Sequence, residues 1–157
     1  MSTQRPLEYR RNVAIIVLNE AGAILACHRA DLPGAWQLPQ GGIEPDESDD
    51  TAMLRELGEE IGTCEVTVIG KLPNPIRYDW PEHLFDRGYR GQEQSYYLVR
   101  LAPLAVMNLD TQTHREFCET EWVGAREFLR RASGFKGPAY ARALEEFRKL
   151  FPGIIAE

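Results

Sequence analysis

Three carboxylates set the chemistry open to this sequence. Glu56, Glu59 and Glu60 are related by i, i+3 and i+4, so on a helix they share one face about 100° wide. Like charges at that spacing destabilise a helix unless something neutralises them, and carboxylate oxygens are the donors that hard divalent cations prefer. The plainer alternative is a solvated face on a surface helix, as most charge runs are. The flanking residues favour the cation. Gly41 and Gly42 precede the acids, Glu47 sits before the helix, Arg55 lies among the acids, and Gly62 stands where a left-handed C-cap is expected. Away from the acids, Leu54, Leu57 and Ile61 form a stripe suited to packing on a core.

Together these residues spell G-x5-E-x7-R-E-L-x-E-E-x-G from Gly41 to Gly62. The pattern resembles the signature of the Nudix hydrolases, which cleave nucleoside diphosphates linked to another moiety. One position departs, because Thr63 stands where the family usually has an aliphatic residue. The resemblance implies an α+β chain with the Nudix fold, an α/β/α sandwich with a mixed central sheet. It also implies metal-dependent hydrolysis, with Mg2+ or Mn2+ held by Glu56, Glu59, Glu60 and Glu116 together with Gly41. Glu56, Glu60, Glu116 and Arg55 would form the catalytic group. Gly42, Glu47 and Gly62 would be structural, with Glu47 and Arg55 paired to brace the loop against the helix. Such a cation neutralises charge on a phosphoryl group and lowers the pKa of attacking water.

Five further stretches lie outside the signature: Tyr9-Arg10 with Asn12-Val13, Trp36-Gln37 with Pro39-Gln40, Gly91-Gln92 with Gln94, Glu116-Phe117 before Trp122, and Phe135-Lys136 before Tyr140. They look like bacterial RNA pyrophosphohydrolases and the related dinucleoside polyphosphate hydrolases over about residues 9 to 151. Ala14 and Ala35 depart from that pattern. The implied substrate is 5′-triphosphorylated RNA losing pyrophosphate, or a dinucleoside polyphosphate of the diadenosine tetraphosphate type. A third reading, a non-catalytic nucleotide-binding module, fits members that have lost signature acids, and here all are present. Arg10, Arg29 and Lys136 offer cationic donors to phosphates, and Tyr78 and Phe135 offer rings for a base. Taken singly, each such cation is as readily a solvated surface charge.

The elements that must position these groups follow from pattern. Val13 to Leu18 is an unbroken apolar run and reads as a buried strand, with 23–29 hairpinned to it across the Asn19-Gly22 turn. Trp36 reads as a core aromatic. Strands are expected at 65–72, 95–101 and 120–123, and helices at 124–132 and after Pro138, where Tyr140, Leu144, Phe147 and Phe151 form a stripe. Residues 73–92, with Tyr78 among them, lack periodicity and read as a long loop, and 103–115 as a second one.

A chain of 157 residues is one domain's worth, so a single domain is expected over 1–157. The net charge of −6 is concentrated: residues 44–60 hold eight acids and one base, −7, which leaves +1 for the rest. An anionic substrate is therefore not excluded once cations occupy the acidic stretch. No apolar run is long enough for a membrane span and the N-terminus lacks a secretory core, so a soluble, cytoplasmic protein is expected. Cys27, Cys64 and Cys118 lack C-x-x-C spacing and read as reduced thiols, and His28, His83 and His114 lack ligand spacing. Protein partners are not legible.

Overall fold

The apolar run at Val13 to Leu18 is continuous because both of its faces are buried. A computed structural model describes residues 7–132 and 134–157. In it the run lies at the centre of a sheet, within β1 (Glu8–Leu18). Ala14, Ile16 and Leu18 enter one core and Val13, Ile15 and Val17 the other, the alternation that a strand covered on both faces must show.

Around β1 the sheet reads β3-β2-β1-β7-β5, with β2 Ile24–Arg29, β3 Trp36–Gln37, β5 Val66–Lys71 and β7 Tyr89–Leu101. The short β4 (Gln40–Gly42) pairs with β1, β6 (Ile76–Asp79) with β7, and β8 (Phe117–Val123) with β2. β1 and β7 run parallel, from Tyr9 opposite Gly91 to Leu18 opposite Arg100, while the other pairings are antiparallel, so the sheet is mixed. Leu57 and Ile61 of α1 (Asp49–Ile61) pack into the core on one face. Phe128 of α2 (Ala125–Arg131) and Tyr140, Leu144 and Phe147 of α3 (Gly137–Leu150) pack on the other. The expected α/β/α sandwich is what the chain forms.

Three expectations need correction. The 73–92 stretch is not one loop: it contains β6, a 3-10 turn at Glu82–Leu84 and the start of β7. Tyr78 is therefore on a strand, opposite Gln92. Next, β2 meets β1 only where Leu18 faces Ile24, and otherwise pairs with β3 and β8; the place of a hairpin partner along β1 is taken by β4. Finally, Leu54 does not face the core. It is 41% exposed, while Ala52 and Met53 join Leu57 and Ile61 inside.

Helix α1 is fixed at both ends. The Ser48 hydroxyl accepts the Thr51 N–H at 3.1 Å as N-cap, and Gly62 closes the helix at φ 77, the left-handed conformation glycine adopts without strain. Asp49 ties the first turn to the sheet by accepting from Arg11 at 2.8 Å, Lys71 at 2.9 Å and the Ser95 hydroxyl at 2.7 Å. The Tyr97 hydroxyl donates to neighbouring Asp50. Asp49→Ala removes an acceptor shared by three donors and is expected to lower unfolding free energy by about 1–2 kcal/mol, read by urea denaturation, with little change in turnover.

Candidate active site

The loop from Gly41 to Ser48 and helix α1 are held together by Arg55. Its guanidinium forks onto Glu47 (Nε to Oε2 2.7 Å, Nη2 to Oε1 2.8 Å) and donates to the Gly42 carbonyl at 2.9 Å. It also donates through Nη1 to Glu56 at 2.8 Å and Glu59 at 3.3 Å. The pairing holds the Glu47 carboxyl far below its usual range, down to about 2, by the Arg55 hydrogen bonds above all. Arg55 and Glu47 thus form the expected brace, and Arg55 also aims two of the acids.

Glu56 and Glu60 point inward. Each is 7% exposed, whereas Glu59 stays at the rim. The Glu60 carboxylate accepts the backbone N–H of Gln40 at 3.0 Å. Glu56 lies against Gly41, where an added Cβ would stand 2.0 Å from its carboxyl carbon. Burial pushes the Glu56 carboxyl up to about 7; Arg55 opposes the rise, and Glu59 and Glu116 add to it. Burial, Glu56 and Glu116 push Glu60 well up as well. Glu116, in the segment leading into β8, is solvent-exposed, yet its charge acts on both acids, so the fold brings it to their side.

Beyond the Arg55 and Gln40 bonds these buried carboxylates keep lone pairs without a protein partner, and their ligand atoms are all oxygen, the type hard cations prefer. The residues present fit a hard divalent ion. A different trio, His28, Cys118 and Glu119, lies with its polar atoms within 4.8 Å of one another, because His28 faces Glu119 across β2 and β8. It does not fit a metal. His28 Nε2 accepts the Gly34 N–H at 2.9 Å, so the proton sits on Nδ1, which donates to Glu119 at 3.0 Å and leaves no lone pair.

The predicted substrate residues lie towards α3, near enough to the acids that the charges of Glu116 and Glu60 act on Lys136. Arg10 lies against Gly42, where an added Cβ would stand 2.3 Å from its Nη2. Arg29 and Lys136 line a cleft of about 220 Å3 with Trp36, Gln37 and Phe135. Tyr78 lies 6.1 Å from Phe135, ring centre to ring centre, tilted by 38°. That gap is too narrow for a base to enter between the rings, so a base would stack on the open side of Phe135, which is 41% exposed. Lys136 Nζ donates to Gln37 Oε1 at 3.0 Å, and burial first, then Arg29, lowers its ammonium to about 8. Trp36 is only partly buried; it stacks on His28 at 4.7 Å with Arg131 over its ring at 4.9 Å.

Sequence reasoning missed the residues that hold these groups. Gln40 supports Glu60 by its N–H and accepts the Tyr140 hydroxyl at 2.5 Å. Tyr140 is thus more than a member of an apolar stripe. Gln37 holds Lys136, and Asp31 holds Arg29. The Trp36-Gln37-x-Pro39-Gln40 run flagged the two glutamines as part of a resemblance, but nothing in their spacing gives the partners.

In the metal-free protein the raised acids make a pH dependence. Between an ordinary carboxylate value of about 4.5 and the folded value of about 7 for Glu56, the unfolded chain has released a proton that the folded chain keeps. Stability therefore falls as pH rises through that window. Melting in EDTA is expected at lower temperature at about pH 8 than at about pH 5.5, a difference that added divalent cation diminishes and that Glu56→Gln with Glu60→Gln flattens.

A helix-borne acid cluster thus sits under a glycine loop, on a sheet clad on both faces, with a cleft lined by Arg29 and Lys136 nearby. The NUDIX domain family matches residues 8–143, and the chain belongs to that family. It is 40% identical to an RNA pyrophosphohydrolase of Nitratiruptor over 90% of this chain and 94% of that one. The same identity links it to an RNA pyrophosphohydrolase of Acidiphilium cryptum over 95% and 96%. In fold it is similar to the Escherichia coli dihydroneopterin triphosphate pyrophosphohydrolase, at TM-score 0.71, 19% identity and 89% and 97% coverage. It is also similar to a Caenorhabditis elegans Ap4A hydrolase, at TM-score 0.67, 17% identity and 90% and 99% coverage. Among the described residues no helix is long and apolar enough to cross a membrane.

Proposed function

We propose that this protein hydrolyses the polyphosphate at the 5′ end of triphosphorylated RNA, releasing pyrophosphate and leaving a 5′-monophosphate. One observation carries the reading: relatives named RNA pyrophosphohydrolase match at 40% identity over nine-tenths or more of both chains. The cleft beside the acids supports it, since it offers what a phosphorylated nucleotide end needs: cations for phosphate, and the open face of Phe135 for a base. A cytoplasmic location goes with this reading.

Glu56, Glu59 and Glu60 would hold a divalent ion, Mg2+ or Mn2+, with Glu116 and Gly41 completing its surroundings. When bound, the ion offsets charge on the phosphoryl oxygens and acidifies water. Arg55 keeps Glu56 and Glu59 aimed and Glu47 fixed, so the acids are placed before substrate arrives. The Gln40 N–H keeps Glu60 turned to the same centre. Attack of a water oxygen on phosphorus breaks the anhydride, and the water's proton goes to one of the facing carboxylates, Glu56, Glu60 or Glu116. Arg10, Arg29 and Lys136 take the remaining phosphate charge.

The test is a comparison at equal concentration of 5′-triphosphorylated RNA and diadenosine tetraphosphate with Mg2+. RNA is expected to be hydrolysed faster, with pyrophosphate as the product. Rapid splitting of the dinucleotide with no action on RNA would replace this reading by the dinucleoside polyphosphate one.

A further inference from the structure

We infer that Asp31 is a positioning residue for substrate phosphate, because its carboxylate grips Arg29 along one edge and leaves the other edge to the substrate. The inference rests on the reading of Arg29 as a phosphate ligand. Arg29 Nε donates to Asp31 Oδ1 at 2.9 Å and Nη2 donates to Oδ2 at 2.8 Å, two parallel bonds on the side edge of the guanidinium. Among the described residues Nη1 makes no hydrogen bond. Guanidinium has a second, end-on edge formed by Nη1 and the remaining N–H of Nη2, and that edge matches two oxygens of a phosphate.

The turn that carries Asp31 is itself fixed. The Arg29 N–H donates to the Ala35 carbonyl at 2.9 Å, Ala35 N–H to Leu32 at 3.1 Å, and Ala30 N–H to the Glu116 carbonyl at 3.0 Å. Gly34 N–H caps His28 Nε2 at 2.9 Å, and His28 stacks on Trp36. Asp31 is thus a short acceptor on a braced turn, and the turn is tied directly to the segment bearing Glu116. The His28 unit, which does not fit a metal, is part of what holds this turn.

An exposed ion pair adds little to stability. Its effect here is on orientation: a free arginine gives up its rotamers on binding phosphate, and one already clamped has lost them beforehand. The carboxylate also brings negative charge near the phosphate, which opposes binding. The two effects carry opposite signs in KM, so kinetics separates them.

The experiment is steady-state hydrolysis of 5′-triphosphorylated RNA, or of diadenosine tetraphosphate if that is the faster substrate, at saturating Mg2+. The proteins are the wild type, Asp31→Asn, Asp31→Ala, Arg29→Ala and the double alanine variant. Asp31 is solvent-exposed, so its variants fold. KM is expected to rise from wild type to Asp31→Asn to Asp31→Ala, reaching roughly three- to tenfold with kcat within about twofold. In the Arg29→Ala background, Asp31→Ala adds nothing. A fall in KM for Asp31→Ala would show a competing carboxylate and overturn the inference, as would an unchanged KM or a rise that persists without Arg29. If Arg29→Ala itself leaves KM unchanged, the phosphate role of Arg29 fails too; a raised KM there with none for Asp31→Ala overturns the clamp alone.

Discussion

Glu56→Gln and Glu60→Gln are each expected to lower kcat by roughly 10³-fold or more at saturating Mg2+ while the protein stays folded. Glutamine keeps the size of the side chain and one acceptor oxygen, so the Arg55 bond to position 56 and the Gln40 N–H bond to position 60 both survive. What is lost is the negative charge that draws the cation. Each acid is 7% exposed, and burying carboxylates beside one another costs stability that the Arg55 and Gln40 bonds only partly offset. In EDTA at about pH 8, where the Glu56 carboxyl with its value of about 7 has ionised, Glu56→Gln should therefore melt at or above the wild-type temperature. Loss of turnover without loss of stability separates a working carboxylate from a structural one. Near wild-type turnover by both variants would remove these acids from the chemistry.

Gly41→Ala is the second large effect, expected at about 10²-fold in kcat with a small change in melting temperature. The backbone at Gly41 lies outside the left-handed region, so alanine meets no torsional strain. Its Cβ would stand 2.0 Å from the carboxyl carbon of Glu56 and 2.1 and 2.3 Å from the two oxygens. The carboxylate is the tip of a flexible side chain, so it moves rather than the strand. It moves away from the position Arg55 holds it in, taking one acid out of the cluster that Glu60 and Glu59 complete. Kinetics at several Mg2+ concentrations, with a thermal melt, checks this; wild-type kcat with an intact melt would show that Glu56 tolerates displacement and need not sit on Gly41.

What could be read from the sequence was what depends on local spacing. The shared face of the acids at 56, 59 and 60 and the C-cap at Gly62 follow from helix period, while the roles of Gly41 and Gly42 and the Glu47–Arg55 brace come from the resemblance to the Nudix signature. Val13 to Leu18 was readable because burial on both faces of the sheet leaves no polar position. Leu54 faces out because the inward side of α1 is not the side opposite the acids: Glu56 and Glu60 share it with Met53 and Leu57. β6 is hard to see because it is only four residues long: Ile76 and Tyr78 turn inward and Arg77 and Asp79 outward, but so brief an alternation, with Pro73, Pro75 and Pro81 around it, does not stand out as a strand. Gln40 under Glu60 joins a strand end to a helix twenty residues on, which no local spacing contains, and the Arg29–Asp31 pair, though only two residues apart, depends on a turn closed by the Ala35 and Glu116 carbonyls.

Cation-dependent anhydride cleavage at the Glu56–Glu60 cluster can be followed in one assay. The protein is stripped with chelator and then titrated with Mg2+ on 5′-triphosphorylated RNA while pyrophosphate release is followed. No release is expected without the cation, saturable release with it, and 5′-monophosphorylated RNA as the other product. Release that persists in chelator, or none at any Mg2+ concentration, would contradict it.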